Sequence, residues 1–105
     1  MTRNEILEAA KKCVSGDREQ DYGSPENNFK RIASLWSAYL YGDAMQDFPE
    51  TQLLTPEDVA AMMSLVKIAR IGSGHAKADN WIDLAGYAAC GGEIESEGGL
   101  PYGDI

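Results

Sequence analysis

The residues from which metal sites and disulfide frameworks are built are scarce in this chain. It has one histidine, His75, and two cysteines in 105 residues. Cys13 and Cys90 stand 77 positions apart, a separation that fits no metal-ligand pattern and no framework of paired bridges, so a reducing, cytoplasmic setting is expected. Basic residues are few as well: nine Lys and Arg against 17 Asp and Glu leave a net charge of −8. That balance opposes binding to a nucleic-acid backbone, which requires clustered cations against phosphates. Long apolar runs are also missing, and nothing approaches the ~20 residues needed to span a bilayer. Met1 to Glu5 contain no apolar leader segment, so a soluble chain, unprocessed at its start, is expected. A nucleotide remains compatible with this acidity, because a divalent cation on carboxylates bridges to phosphate oxygens.

What is present is enough for one small core. Apolar residues make up 44% of the chain, with two Trp, five Tyr and two Phe, which argues for a folded domain. A first helix is expected from Arg3 to about Ser15, opened by a capping box of Thr2 and Glu5 and stopped at Gly16. Its apolar stripe is Ile6, Leu7, Ala10, Cys13 and Val14. A polar connection, Asp17 to Ser24, holds Tyr22 beside Gly23; it is either a turn in which Tyr22 covers the helix end or a loop in which Tyr22 covers a ligand. Ser24 and Pro25 open a second helix to about Tyr41. Phe29, Ile32, Leu35, Trp36, Tyr39 and Leu40 form its inner face, and Asn28 lies within that arc, where an amide must bond either a neighbouring loop or a ligand.

No chemistry is legible from Gly42 to Leu54, a segment long enough to pack over the domain or against a second subunit. Thr55, Pro56 and Asp58 then open a third helix that runs to about Ile71. It is apolar nearly all round, with Val59, Met62, Met63, Leu65, Val66 and Ile68, and is expected to be the buried central helix. Gly72 or Gly74 stops it. His75 follows in a short loop, as an ordinary exposed side chain or as a phosphate contact. The fourth helix is expected from about Asp79 to Ile94, weakened at Gly91 and Gly92. The expectation is therefore an all-α, four-helix bundle-like domain over residues 1–95, with a Gly- and acid-rich tail over 96–105. Ile6 and Val14, Phe29, Trp36 and Leu40, Met62 and Val66, and Trp81 and Leu84 are the expected core. So small a unit with spare aromatics is expected to complete its core as a homo-oligomer.

The candidate site begins with two cations in the wrong place. Lys67 and Arg70 lie on the helix expected to be buried, where a charge is costly unless paired or open to a cleft. Asp79 and Asp83 are the acids placed to meet them from an antiparallel neighbour. At 100° per residue, Asp79, Asp83, Tyr87 and Asn80 fall at roughly 0°, 40°, 80° and 100° on the fourth helix, and Gly86 leaves a gap beside them. Leu84, Ala88, Trp81, Ala85, Ala89 and Ile82 occupy the other side and are expected to pack inward. Each member has an ordinary structural role open to it: Asp79 as N-cap, Asp83 with Lys67 as a single ion pair, Asn80 as a surface residue, Tyr87 as a core aromatic. Two acids, an amide, a phenol and two cations about one groove together have the form of a ligand site.

The run Asn80-Trp81-Ile82-Asp83-Leu84-Ala85-Gly86-Tyr87 resembles the second acidic helix of the all-α nucleoside triphosphate pyrophosphatases, the MazG-like group, in which Glu-x-x-Asp is followed four residues after the Asp by a Tyr. Asp83 and Tyr87 match; Asn80 stands at the Glu position, with Asp79 one residue earlier. Taken together, Asp21 to Phe29, Lys67 to Arg70 and Asp79 to Tyr87 resemble a small phage-borne family of unassigned function that is itself similar to that group. The resemblance implies a helical bundle that oligomerises and holds Mg²⁺ on carboxylates of two adjacent helices, so that water attacks a bound triphosphate. The first acidic pair, Glu-x-x-Glu, has no counterpart here: three residues after Glu57 comes Ala60.

Three readings follow. In the first, a nucleotide is hydrolysed at its α,β bond with Mg²⁺ on Asp79 and Asp83, joined by Glu57 or Asp58. Lys67 and Arg70 then neutralise phosphate charge, Asn28 and Asn80 orient polar groups, and Tyr22 or Tyr87 contacts base or ribose. In the second, the same pocket binds and sequesters a nucleotide without cleaving it. The third is a structural oligomer in which the polar cluster only fixes helix register.

Overall fold

The structure, a computed structural model, describes residues 1–15, 24–74 and 77–97. Four α-helices make up the fold: α1, Arg3–Val14; α2, Pro25–Tyr41; α3, Pro56–Ile71; and α4, Ala78–Glu97. Among the described residues there is no strand, and the all-α, bundle-like architecture is the one expected. Tyr22, His75 and the tail beyond Glu97 lie outside the described residues.

Local signals set the helix starts. The Thr2 hydroxyl accepts from the Glu5 N–H while the Glu5 carboxylate accepts from the Thr2 N–H, closing the capping box of α1. Thr55 and Asp58 do the same for α3, with the Thr55 N–H donating to Asp58 Oδ2 at 2.9 Å. Ser24 Oγ accepts from the Asn27 N–H ahead of Pro25 in α2. Each cap satisfies amide donors that the first turn leaves without partners. After α3, Gly74 takes φ +88° and Gly72 remains right-handed, so the reversal toward α4 falls on Gly74.

Between α2 and α3 the chain forms two short 3-10 helices, Gly42–Asp47 and Glu50–Gln52. The segment is thus more regular than its composition suggested. Ser37, on the inner face of α2 and fully buried, accepts from the Leu54 N–H at 3.0 Å, which fixes the chain just ahead of the α3 cap.

α3 and α4 form an antiparallel hairpin, aligned by Lys67 against Asp83 toward the connection and by Ala60 against Gly91 toward the far end. α1 runs alongside the first half of α4, with Val14 packed at Gly86. α2 covers the far end of the hairpin, where Phe29, Ala33, Val59, Ala60 and Ile94 make the buried core, flanked by Ile32, Trp36, Leu54, Met63, Tyr87 and Cys90. Among the described residues α1 packs on α4 alone, so the four helices do not close into a ring.

That openness corrects several expectations. α3 is not buried all round: Met62, Leu65, Val66 and Ile68 are exposed. Leu35, Tyr39 and Leu40 of α2 are exposed as well. On α4 the inward side is the one that carries Asp83, Gly86, Tyr87 and Cys90, whereas Trp81, Ala88 and Ala89 face outward. Trp81 is 53% exposed. Of the side expected to pack inward, Ile82 is buried and Leu84 and Ala85 are half-buried, while Asp83 and Tyr87 are drawn in from the expected polar side, where Lys67 neutralises the acid. The glycine pair does not end α4, which continues through Ser96 to Glu97.

Gly91 and Gly92 have opposite surroundings. A Cβ on Gly91 would stand 2.9 Å from the Ala60 Cβ, closer than two carbons can pack, while one on Gly92 would meet nothing within 4 Å. Gly92→Ala is expected to raise stability by about 0.5–1 kcal/mol through helix propensity. Gly91→Ala, with the same propensity gain but an overpacked contact costing about 1–3 kcal/mol, is expected to melt below Gly92→Ala in a thermal denaturation comparison.

Candidate functional site

The site lies toward the connected end of the hairpin. Lys67 occupies the inner side of α3, in the same sector as Val59 and Met63, and its long stem allows the ammonium to reach across to α4. Lys67 Nζ lies 2.9 Å from Asp83 Oδ2, with the side chains 11% and 25% exposed. The pair is thus more enclosed than a surface salt bridge, which contributes about 0–1 kcal/mol, and the carboxylate keeps an edge to solvent. Removing either partner would leave the other partly desolvated and unpaired.

Around the pair the other candidates take separate places. Arg70, one turn further along α3, is exposed. Asp79 is exposed in the first turn of α4, where its charge is favourable at the positive end of the helix dipole. Asn80 is half-buried, and its backbone N–H donates to the Lys77 carbonyl at 3.1 Å. Tyr87, one turn beyond Asp83, is half-buried with its ring 6.2 Å from that of Phe29, centroid to centroid. It therefore joins the site to the core. Asn28, half-buried, precedes Phe29 on α2.

Glu57 and Asp58 do not join them. They sit at the start of α3, beyond the level at which Ala60 meets Gly91, and Gly91 is eight residues past Asp83 on α4. At 1.5 Å per residue that places them about 12 Å or more along the axis from the ion pair. Asp58 is also occupied by the Thr55 cap. Among the described residues no group of three or more His, Cys, Asp or Glu side chains converges as metal ligands would.

One feature escaped the sequence reading. Met1, Arg3, Ile6 and Leu7 of the first helix region and Ala78 and Trp81 of α4 line an open, mainly apolar groove of about 530 Å³. Its signal was Leu7 and Trp81 at the starts of their helices, each assigned to a stripe that the parallel packing of α1 on α4 leaves uncovered.

The Lys67–Asp83 geometry predicts a measurable coupling. In a double-mutant cycle with Lys67→Met and Asp83→Asn, chemical denaturation should give an interaction energy of about 1–2 kcal/mol, above that of an exposed pair and below that of a fully buried one. Additive effects would show that the two charges do not support one another.

Comparison with known proteins adds a family and no activity. Residues 5–95 match the family described as a domain of unknown function (DUF6378). The Gene 55 protein of Mycobacterium phage L5 is 45% identical over 83 residues, covering 79% of this chain and 47% of the relative. The Gene 55 protein of Mycobacterium phage D29 is 41% identical over 93 residues, 88% of this chain and 54% of the relative. The chain thus spans about half the length of these curated relatives. No solved structure matches. Among the described residues no helix is long and apolar enough to cross a membrane. By a match that covers its α-helical framework from α1 to α4, the chain belongs to the DUF6378 family, which has members in mycobacteriophages.

Proposed function

We propose that this protein binds a nucleotide through its phosphates at the connected end of the α3–α4 hairpin. The observation that carries the reading is the enclosed Lys67–Asp83 pair, with a second cation one turn along α3 and an amide one turn back on α4. An anion arriving at this edge would take the Lys67 ammonium from Asp83, and Arg70, already exposed, would add a second charge-assisted contact. Asn80 would supply a neutral donor. Tyr87, half-buried one turn beyond Asp83, would offer its hydroxyl to a base or ribose, and Asn28, half-buried on α2, would supply a further amide. His75 falls in the connection between the two helices, suited to a phosphate, and Tyr22 is the candidate for a base.

Binding without cleavage, a sequestering role, is the primary form of this reading, since Glu57 and Asp58 stand apart from the other acids. A second form is favoured by one observation: Asp79 and Asp83 lie one turn apart on α4. One or two carboxylates together with substrate phosphates are a usual way of holding Mg²⁺, so these two residues would hold it, and the ion would supply charge neutralisation at a triphosphate attacked by water. In that form the protein is a nucleoside triphosphate pyrophosphohydrolase, in keeping with the resemblance of Asp83 and Tyr87 to the MazG-like enzymes.

A thermal-shift screen of nucleoside triphosphates with and without Mg²⁺ tests the proposal. At ligand 100-fold above Kd the gain is about 2.7 kcal/mol, a rise of several degrees in Tm for a domain of this size, and Lys67→Met should abolish it. Asp83→Asn separates the two forms. It strengthens binding if Asp83 merely competes for Lys67, whereas it abolishes a Mg²⁺-dependent shift and pyrophosphate release if Asp83 holds the metal. Absence of any shift, or an undiminished shift in Lys67→Met, would contradict the proposal and leave the pair as a device that fixes helix register.

A further inference from the structure

The chain is strongly acidic, yet the groove between the starts of α1 and α4 turns its acids away. On α1, Arg3, Ile6 and Leu7 line the groove and share an arc of roughly 100°. Glu5 and Glu8 each point roughly 150° from the centre of that arc, and the Glu5 carboxylate is held by the Thr2 cap. On α4, Ala78 and Trp81 line the groove, while Asp79 and Asp83 lie roughly 130° and 170° from the direction midway between them. The charges left on this side are positive. Arg3 is exposed on the groove wall, Lys77 is exposed just ahead of Ala78, and among the described residues neither has a salt bridge.

We infer that this groove binds a small aromatic carboxylate, with the ring between Trp81 and Leu7 and the carboxylate on Arg3. Trp81 is 53% and Leu7 61% exposed, so both have apolar surface left to cover, and the indole offers a flat face for offset stacking. The Arg3 guanidinium has the planar fork that matches a carboxylate in two parallel hydrogen bonds. Met1, also on the wall, supplies a flexible thioether side chain that adapts to the ring's edge. A volume of about 530 Å³ falls within the usual range of small-molecule sites, roughly 300–1,000 Å³.

The length of the groove selects a compact ligand over a docked helix. Its α1 wall runs from Arg3 to Leu7, about 6 Å along the axis. A helix laid in a groove needs anchors at i, i+3 or i+4, and i+7, which span about 10 Å. The site is also separate from the proposed nucleotide contact, because Trp81 and Asp83 point to nearly opposite sides of α4. It does not depend on that reading.

The test is a two-dimensional NMR titration with 2-naphthoate and, in parallel, with neutral 2-naphthamide, which has the same ring and no charge. Naphthoate should produce saturating shifts at the Trp81 indole N–H and the Leu7 amide, with the Trp36 indole unmoved. Naphthamide should bind about fivefold more weakly, and Arg3→Gln should bring naphthoate down by about the same factor. Trp81→Ala should abolish binding with helicity unchanged by circular dichroism, since the side chain is half exposed, whereas Lys67→Met should bind naphthoate as the parent does. No saturating shift at Trp81, equal affinity for the two probes, or undiminished binding in Arg3→Gln would each overturn the inference.

Discussion

The hairpin of α3 and α4 depends on the close approach of Ala60 and Gly91. With no side chain at Gly91 and only a methyl at Ala60, the two backbones come near enough that a second Cβ would stand 2.9 Å from the first. This contact places Val59, Ala60 and Ile94 in one buried cluster. Two turns toward the connection, the same alignment brings Lys67 opposite Asp83. The polar pair is therefore positioned by apolar packing at the other end of the hairpin, and Tyr87, one turn beyond Asp83, packs on that apolar cluster beside Phe29.

Helix starts were legible because they are decided locally. Thr2 with Glu5, Ser24 with Pro25, and Thr55 with Pro56 and Asp58 each satisfy nearby amides whatever the rest of the chain does, and all three are found at the expected positions. Sidedness was less legible. α3 has apolar residues around its whole circumference, so periodicity does not distinguish the side facing α4 from the side left outside. In α4 the wheel placed Asp83 and Tyr87 together but counted their side as open. Whether a carboxylate is tolerated inside depends on its partner, and Lys67 is 16 positions away. The pairing itself was foreseen; its effect on which face packs inward was not. Trp81 was misplaced for the complementary reason, since hydrophobicity alone does not say that the described elements leave it half covered, at the edge of the groove beside Leu7.

The most direct measurement is a backbone-amide NMR titration of the protein with a nucleoside triphosphate, in the presence and absence of Mg²⁺. Binding at the ion pair should concentrate the shifts at Lys67, Arg70, Asn80 and Asp83, with the core residues Val59 and Ala33 little changed. Saturating shifts confined to another part of the fold, such as the groove at Leu7 and Trp81, or no saturating shift at any nucleotide concentration, would contradict it.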